Sequence, residues 1–155
     1  MIYSFKPVYD EKSKILILGS MASVKSLEKG FYYMHPQNKF WRVIALVAGN
    51  PVPESIEGKR QWLLDNNIAL MDIIYSCERK GSLDSDIREV TPNDIRQVLD
   101  NAPIRAIFCN GRKSYDTARK NYPDVEFKYL PSTSPANAGG WNEQAWLDIK
   151  RYLSD

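Results

Sequence analysis

Four short apolar segments stand out along the chain and predict the strands of a sheet. Residues 14–19, 68–74 and 104–109 are almost continuously hydrophobic, which is typical of strands buried on both faces of a parallel sheet. Residues 125–130 alternate between polar and apolar side chains, which indicates an edge strand. The pattern therefore predicts a sheet of four strands.

Helical patterns fill the longer intervals between the first strands. Residues 40–48 form an apolar stretch that stops at Gly49 and Pro51, two residues that commonly end a helix. Residues 56–66 predict a second helix with its large side chains facing inward. Residues 76–88 are polar and rich in turn formers, so we expect one long loop there.

The second half of the chain predicts three further helices. Thr91 and Pro92 resemble an N-cap followed by a proline at the first helical position, so we expect a helix from there to about Asn101. Another helix follows Gly111, and Asn142 is placed to cap the last one. The resulting order, β-α-α-β-α-β-α-β-α, is typical of an α/β fold in which a short parallel sheet lies between helices.

Composition narrows the class of protein. The 155 residues, of which 43% are hydrophobic and 26% charged, are typical of one globular domain, which we expect to span residues 1–155. A net charge of +2 is too small to indicate a nucleic-acid partner by itself, so any basic surface must be local. The basic residues near predicted loops, which could form such a surface, are Lys25, Lys39, Arg42, Arg79, Lys80, Arg112 and Lys113.

The few cysteines and histidines limit the chemistry. Cys77 and Cys109 are far apart, and the chain carries neither a signal-peptide pattern nor an apolar run of bilayer length, so we expect a cytoplasmic protein without membrane contact. With His35 as its single imidazole, the chain cannot assemble a zinc site from the usual histidine and cysteine ligands.

Two loops at the carboxyl ends of predicted strands are rich in hydroxyl groups and small residues. Residues 19–27 follow the first strand and residues 131–140 follow the last. Such loops can bring backbone N–H groups and hydroxyls against phosphate oxygens, although ordinary serine-rich turns have the same composition. Residues 30–41 add several aromatic side chains, which can stack on nucleobases or pin the segment to the core.

Five motifs in register carry a resemblance to a known family. They are residues 19–27, 30–41, 76–85, 109–111 and 130–138. In these motifs the chain resembles the uracil-DNA glycosylase superfamily, and in particular its hypoxanthine-DNA (deoxyinosine) glycosylase branch. The resemblance covers nearly the whole chain.

This resemblance implies a fold and an activity. The fold would be a three-layer α/β/α sandwich around a short, mainly parallel four-stranded sheet. The activity would be that of a monofunctional DNA glycosylase in base excision repair, which hydrolyses the N-glycosidic bond of hypoxanthine, with uracil as a second substrate. The reaction would use no metal and no cofactor. The partner would be double-stranded DNA with a deaminated base, single strands being a further option, and the protein would act as a monomer near the nucleoid.

The same resemblance implies roles for individual residues. The catalytic residue that holds the attacking water would be Asn38. The base pocket would be formed by Gly19, Ser20, Met21, Tyr33, His35 and Asn110. The flipped base would stack on Tyr33. The loop that grips DNA phosphates and enters the duplex would consist of Ser132, Thr133, Ser134, Pro135 and Ala136.

Three acidic residues and several other functions are alternatives to this interpretation. Asp72, Asp84 and Asp86 could form an acidic site, but we expect structural roles for them, because the glycosylase mechanism needs no paired carboxylates. The alternative functions are a glycosylase specific for G·U or G·T mismatches and a non-catalytic α/β module that binds damaged DNA or a nucleotide. A serine hydrolase using Ser20 or Ser132 is disfavoured by the single histidine and the missing Gly-x-Ser-x-Gly motif.

Overall fold

A computed structural model describes residues 1–154, so Asp155, the last residue of the predicted domain, lies outside the described residues. The strands are β1 (Ile2–Tyr3), β2 (Ile15–Gly19), β3 (Ile68–Asp72), β4 (Ile74–Glu78), β5 (Arg88–Pro92), β6 (Ala106–Asn110) and β7 (Lys128–Leu130). The helices are α1 (Val24–Lys29), α2 (Phe40–Ala48), α3 (Ile56–Asp65), α4 (Arg96–Leu99), α5 (Arg112–Asn121) and α6 (Glu143–Leu147). Short 3₁₀ segments follow at Asp84–Asp86, Pro135–Gly140 and Asp148–Tyr152.

The predicted parallel sheet is confirmed. Its four strands lie in the order β3-β2-β6-β7, and every neighbouring pair is parallel. Strands β2, β3 and β6 are buried along their whole length, as their continuous apolar sequence predicts. Strand β7 is shorter than expected, because only the last residues of the predicted 125–130 segment pair with β6.

Helices cover both faces of this sheet and create two cores. Successive side chains of a strand point to opposite faces, so Ile15 and Ile17 pack with α2, α3 and α6, whereas Leu16 and Leu18 pack with α4 and α5. The three-layer α/β/α arrangement is therefore confirmed. No helix within residues 1–154 has the length and hydrophobicity needed to cross a bilayer.

A second, antiparallel sheet was not predicted and corrects two expectations. Strand β4 pairs with both β1 and β5, so the predicted loop at residues 76–88 is wrong at both of its ends. The predicted helix start at Thr91 and Pro92 is also wrong, because these residues end β5 and the helical turn begins at Arg96. Proline is compatible with this position because β5 is an edge strand, whose outer N–H groups need no partner.

The remaining helices agree with the sequence pattern apart from one addition. Helices α2, α3 and α5 lie where they are predicted, and the side chain of Asn142 accepts a hydrogen bond from the N–H of Ala145 to cap α6. Helix α1 was not predicted. It is capped by Ser23, whose hydroxyl accepts from the N–H of Ser26, and it ends at Gly30 in the left-handed region.

Candidate functional site

A cavity of about 530 Å³ opens at the carboxyl edge of the parallel sheet. Residues at or just after the ends of β2, β3, β6 and β7 line it, which is where α/β sheets commonly bind ligands. Its floor comes from the strand ends, and one wall comes from residues before α2. Its rim comes from residues 82–85, 87–88, 112–113, 132–134 and 136–137. The volume is in the range that accepts one small organic ligand.

Gly19, Asp72 and Tyr33 converge at the floor of the cavity. The parallel register places Gly19 directly beside Asp72. A Cβ atom on residue 19 would overlap a carboxyl oxygen of Asp72 and lie 2.6 Å from the Tyr33 hydroxyl oxygen. Glycine is therefore required here, because the two polar groups occupy the space that any side chain would need.

Asp72 is buried without a full set of hydrogen-bond partners. It is 2% exposed, and its Oδ2 atom has no hydrogen-bond partner among the described residues. Burial, reinforced by the nearby Asp84 and opposed by Arg79, raises the pKa of Asp72 to about 7. A structural role alone therefore does not explain Asp72, because a purely structural carboxylate would have both oxygens in hydrogen bonds.

Tyr33 is held in an unusual position above this floor. Its ring stacks on Phe40 with centroids 4.2 Å apart, so a ligand can stack only on its other face. Its φ of 55° is uncommon for a bulky residue and indicates backbone strain, which is often found at functional sites. Burial and the charge of Asp72 raise the pKa of Tyr33 well above its usual range, while the adjacent Asn110 side chain acts in the opposite direction. The hydroxyl group is therefore a neutral donor.

Asn38 lies in the cavity wall at the start of α2. Its Oδ1 atom accepts a hydrogen bond of 2.9 Å from the N–H of Phe40, and its own N–H donates to the carbonyl of His35 at 3.0 Å. These bonds fix the direction of the carboxamide. The second lone pair of Oδ1 and the amide N–H groups remain for a ligand or water.

Asn110 and Thr133 form a reciprocal pair that holds the loop after β7. The Asn110 Nδ2 donates to the Thr133 Oγ1, and the Thr133 N–H donates to the Asn110 Oδ1, both at 3.0 Å. Both residues are buried, and the Lys39 N–H donates to the Thr133 carbonyl at 3.0 Å, so the same loop is also tied to the start of α2. Asn110 therefore mainly connects the strand to the loop, and its side chain also acts on the adjacent Tyr33 hydroxyl.

The opposite rim is a loop pinned at several points. The guanidinium of Arg79 donates to the carbonyls of Gly81 and Ala22. The Ser82 hydroxyl accepts from the Val24 N–H at 2.9 Å. On the other side of Leu83, the Ser20 hydroxyl donates to Asp84 at 2.8 Å. These bonds hold the backbone of the loop in place, and Leu83 on this loop is 54% exposed.

The predicted site residues are mostly brought together, with two exceptions. Those that line the cavity are Gly19, Ser20, Met21, Tyr33, Asn38, Asn110, Ser132, Thr133, Ser134 and Ala136. His35 and Pro135 are not in the lining, and the Nδ1 of His35 instead accepts from the N–H of Gln37 at 3.1 Å. The expectation that His35 helps to form the pocket therefore finds no support in its position.

The sequence did not identify several residues of the site, but it placed two basic residues correctly. Arg112 and Lys113 lie at the rim as expected for a local basic surface, and the guanidinium of Arg112 lies 4.6 Å from the ring centre of Tyr129. Among the lining residues that were missed, or assigned a structural role only, are Asp72, Asp84, Leu83 and Arg88. The position of Asp72 at the carboxyl end of a buried strand was a usable signal, because ligands bind at that edge.

Comparison with known proteins agrees with this geometry. The family model of the uracil DNA glycosylase superfamily matches residues 6–153. A protein named hypoxanthine DNA glycosylase from Methanosarcina acetivorans is 38% identical over 137 residues, with 86% of each chain covered. One of the same name from Methanosarcina barkeri is 33% identical over 150 residues, with 90% of this chain and 94% of that protein covered. A solution NMR structure of a candidate uracil DNA glycosylase from M. acetivorans superposes with a TM-score of 0.83 at 36% identity, with 97% of each chain covered.

Proposed function

This chain belongs to the uracil DNA glycosylase superfamily and is a DNA glycosylase for deaminated bases, and on that premise we propose that its main substrate is hypoxanthine in double-stranded DNA. Two relatives that match most of the chain carry hypoxanthine in their names. The proposal rests on the shape and lining of the cavity. Its aromatic wall at Tyr33 and its polar floor fit a planar base with hydrogen-bonding edges. We also propose that the protein acts as a monomer.

The reaction begins when the damaged nucleotide leaves the duplex. Extruding a base costs a few kcal/mol, least for a weakly paired one, which itself favours deaminated bases. The base enters the cavity and stacks on the free face of Tyr33. Residues Ser132, Thr133, Ser134, Pro135 and Ala136 contact the flanking phosphates, with Arg88, Arg112 and Lys113 at the rim adding positive charge.

Hydrolysis then exchanges one bond for another. The bond between the sugar C1′ and the base nitrogen breaks, the base keeps the electron pair, and a water oxygen bonds to C1′ with its proton released. Asn38 holds that water through the free lone pair of its Oδ1, because the bond from the Phe40 N–H fixes the carboxamide. An asparagine does not titrate near neutral pH, so it positions the water rather than removing its proton.

A base-release assay tests this proposal. Purified protein is incubated in excess with duplexes that contain deoxyinosine or deoxyuridine opposite each normal base, and released bases are identified by chromatography. We expect hypoxanthine release to exceed uracil release at least tenfold. Release of uracil alone, or binding without release of either base, would replace the proposal by one of the two alternative functions.

The role of Asn38 has its own test. The Asn38→Ala variant should lose at least a hundredfold in single-turnover rate while binding DNA normally, and Gln37→Ala is the matched control because Gln37 is exposed and outside the cavity. Losing the bond to Phe40 should also lower the free energy of unfolding by about 1 kcal/mol, which is too little to unfold the enzyme. An unchanged rate in Asn38→Ala would remove Asn38 from the mechanism.

A further inference from the structure

We propose that Asp72, as a neutral carboxylic acid, donates a hydrogen bond from the cavity floor to the carbonyl oxygen that deamination leaves on the base. This inference rests on the proposed function and names the group that recognises its substrate. Three observations support it. Asp72 lines the cavity, it is 2% exposed, and its Oδ2 atom has no partner among the described residues.

The groups that face Asp72 favour its neutral form. Asp84 lies on the rim loop and repels a second negative charge, and Tyr33 and Tyr32 are buried phenols that offer no compensating cation. Among the described residues, Arg79 is the cation that lowers the pKa of Asp72, but two of its nitrogens donate to the carbonyls of Ala22 and Gly81, and its buried Nη1 forms no hydrogen bond to the Asp72 carboxyl. Together with burial, these surroundings raise the pKa of Asp72 to about 7.

The chemistry of deamination makes this protonation state useful. Deamination replaces an exocyclic amine, which donates hydrogen bonds, by a carbonyl, which accepts them. A neutral carboxylic acid can donate to that carbonyl, whereas a carboxylate can only accept. The Tyr33 hydroxyl, which donates to no acceptor among the described residues, is a second donor at the same floor.

The same donors would also assist the bond cleavage. As the bond to C1′ breaks, the base carries away the electron pair and negative charge grows on its carbonyl oxygen. Hydrogen bonds from donors in a water-poor site become stronger as that charge develops. A buried acid beside a tyrosine is an arrangement suited to this task, because the tyrosine remains a neutral donor and a substantial fraction of the acid is still protonated at neutral pH.

The pH profile of three variants tests the inference. Single-turnover release of hypoxanthine is measured between about pH 5.5 and 9 in wild type, Asp72→Asn, Asp72→Leu and the control Asp86→Asn, which neutralises an exposed acid outside the cavity. We expect the wild-type rate to fall about tenfold per pH unit above about pH 7. Asp86→Asn should keep that profile, and Asp72→Asn, which always carries a donor, should lose the fall.

The remaining outcomes separate the two proposals. Asp72→Leu should lose at least a hundredfold at every pH while keeping its DNA affinity. Parallel profiles for wild type and Asp72→Asn, or an active Asp72→Leu, would overturn the role of Asp72 and leave the proposed function intact. Absence of hypoxanthine release by the wild type at any pH would instead overturn the proposed function, and this inference with it.

A second inference rests on a different observation, the exposed side chain of Leu83 at the cavity mouth. The structure assigns Leu83 as the wedge that enters the duplex when the base leaves. Proteins that unstack DNA insert an apolar side chain. The other exposed large hydrophobic side chain in the lining, Tyr129, is packed against Arg112 and Tyr115, and the opposite rim offers Pro135, which is half-buried, and Ala136, which is small. Bonds to Ser82 and Asp84 hold the residues on both sides of Leu83, so the leucine is presented rigidly.

Fluorescence of 2-aminopurine placed beside deoxyinosine tests the wedge, because unstacking raises its emission. We expect wild type and the control Val90→Ala, which removes an exposed apolar side chain outside the cavity, to raise the emission. Leu83→Ala should raise it several-fold less and release hypoxanthine at least tenfold more slowly from a duplex with cytosine opposite. A full rise in emission with Leu83→Ala would show that another residue is the wedge.

Discussion

The reciprocal pair between Asn110 and Thr133 provides the sharpest test of how the fold supports the site. Replacing Asn110 by alanine removes two hydrogen bonds of 3.0 Å between residues that are 7% and 1% exposed. The Thr133 N–H is then buried without an acceptor. Because an unsatisfied buried polar group costs about 1–3 kcal/mol, we expect the free energy of unfolding to fall by about 2–4 kcal/mol.

The effect on activity should differ from the effect on stability. For a domain of this size, a loss of about 3 kcal/mol lowers Tm by roughly 6–12 °C, so the variant remains folded at room temperature. The loop after β7 is then held at fewer points, and we expect DNA affinity to fall about tenfold, which corresponds to about 1.4 kcal/mol. The step that uses Asn38 should be much less affected at saturating enzyme.

Chemical denaturation, DNA-binding titration and single-turnover kinetics together measure these effects. Thr133→Val is the matched variant, because it removes the hydroxyl but keeps the N–H donor, and it should cost about 1 kcal/mol. The double variant should show a coupling of about 1 kcal/mol between the two residues. An unfolding free energy for Asn110→Ala within about 0.5 kcal/mol of wild type would refute the argument that this pair fastens the loop.

Three further predictions follow from the floor of the cavity and from the buried thiols. Gly19→Ala should lower the excision rate at least a hundredfold and reduce Tm, because its Cβ would displace the Asp72 carboxyl or the Tyr33 hydroxyl. The pKa of Asp72 is about 7 in the folded protein and about 3.9 in the unfolded chain, so the stability that its protonated form contributes is lost as the pH rises from about 4 to 7. Over that interval, urea titrations should show Asp72→Asn becoming progressively more stable than wild type. Burial raises the pKa of both Cys77 and Cys109, so Ellman's reagent should label neither thiol in the native protein at pH 8 and both after denaturation.

The sheet and most helices were predictable because their signals are local. The continuous apolar runs of β2, β3 and β6 need only burial on both faces to form strands. The cap at Asn142 is likewise decided within a few residues. These elements bring the cavity-lining loops to one edge of the sheet, so the location of the site was predictable as well.

The failure at Thr91 and Pro92 shows where local signals lose to tertiary contacts. These residues have the composition of a helix start, yet they pair with β4 as the end of an edge strand. The next residue, Asn93, is buried, donating its N–H to the carbonyl of Ile73 and its side-chain amide to the carbonyl of Asp72. Those long-range bonds favour the extended conformation over the helical one, and the neighbouring sequence does not predict them.

The sequence by itself determined the number of parallel strands, the residues at their carboxyl ends and the position of Asn38 before the helix that holds it. Only the tertiary structure decided that Asp72 belongs to the floor of the site. An aspartate after an apolar strand can be a solvated surface residue or a buried acid. Here the register with β2 places it beside Gly19 and beneath Tyr33, and the loss of water at that point raises its pKa, which is a property of the surroundings and not of the residue.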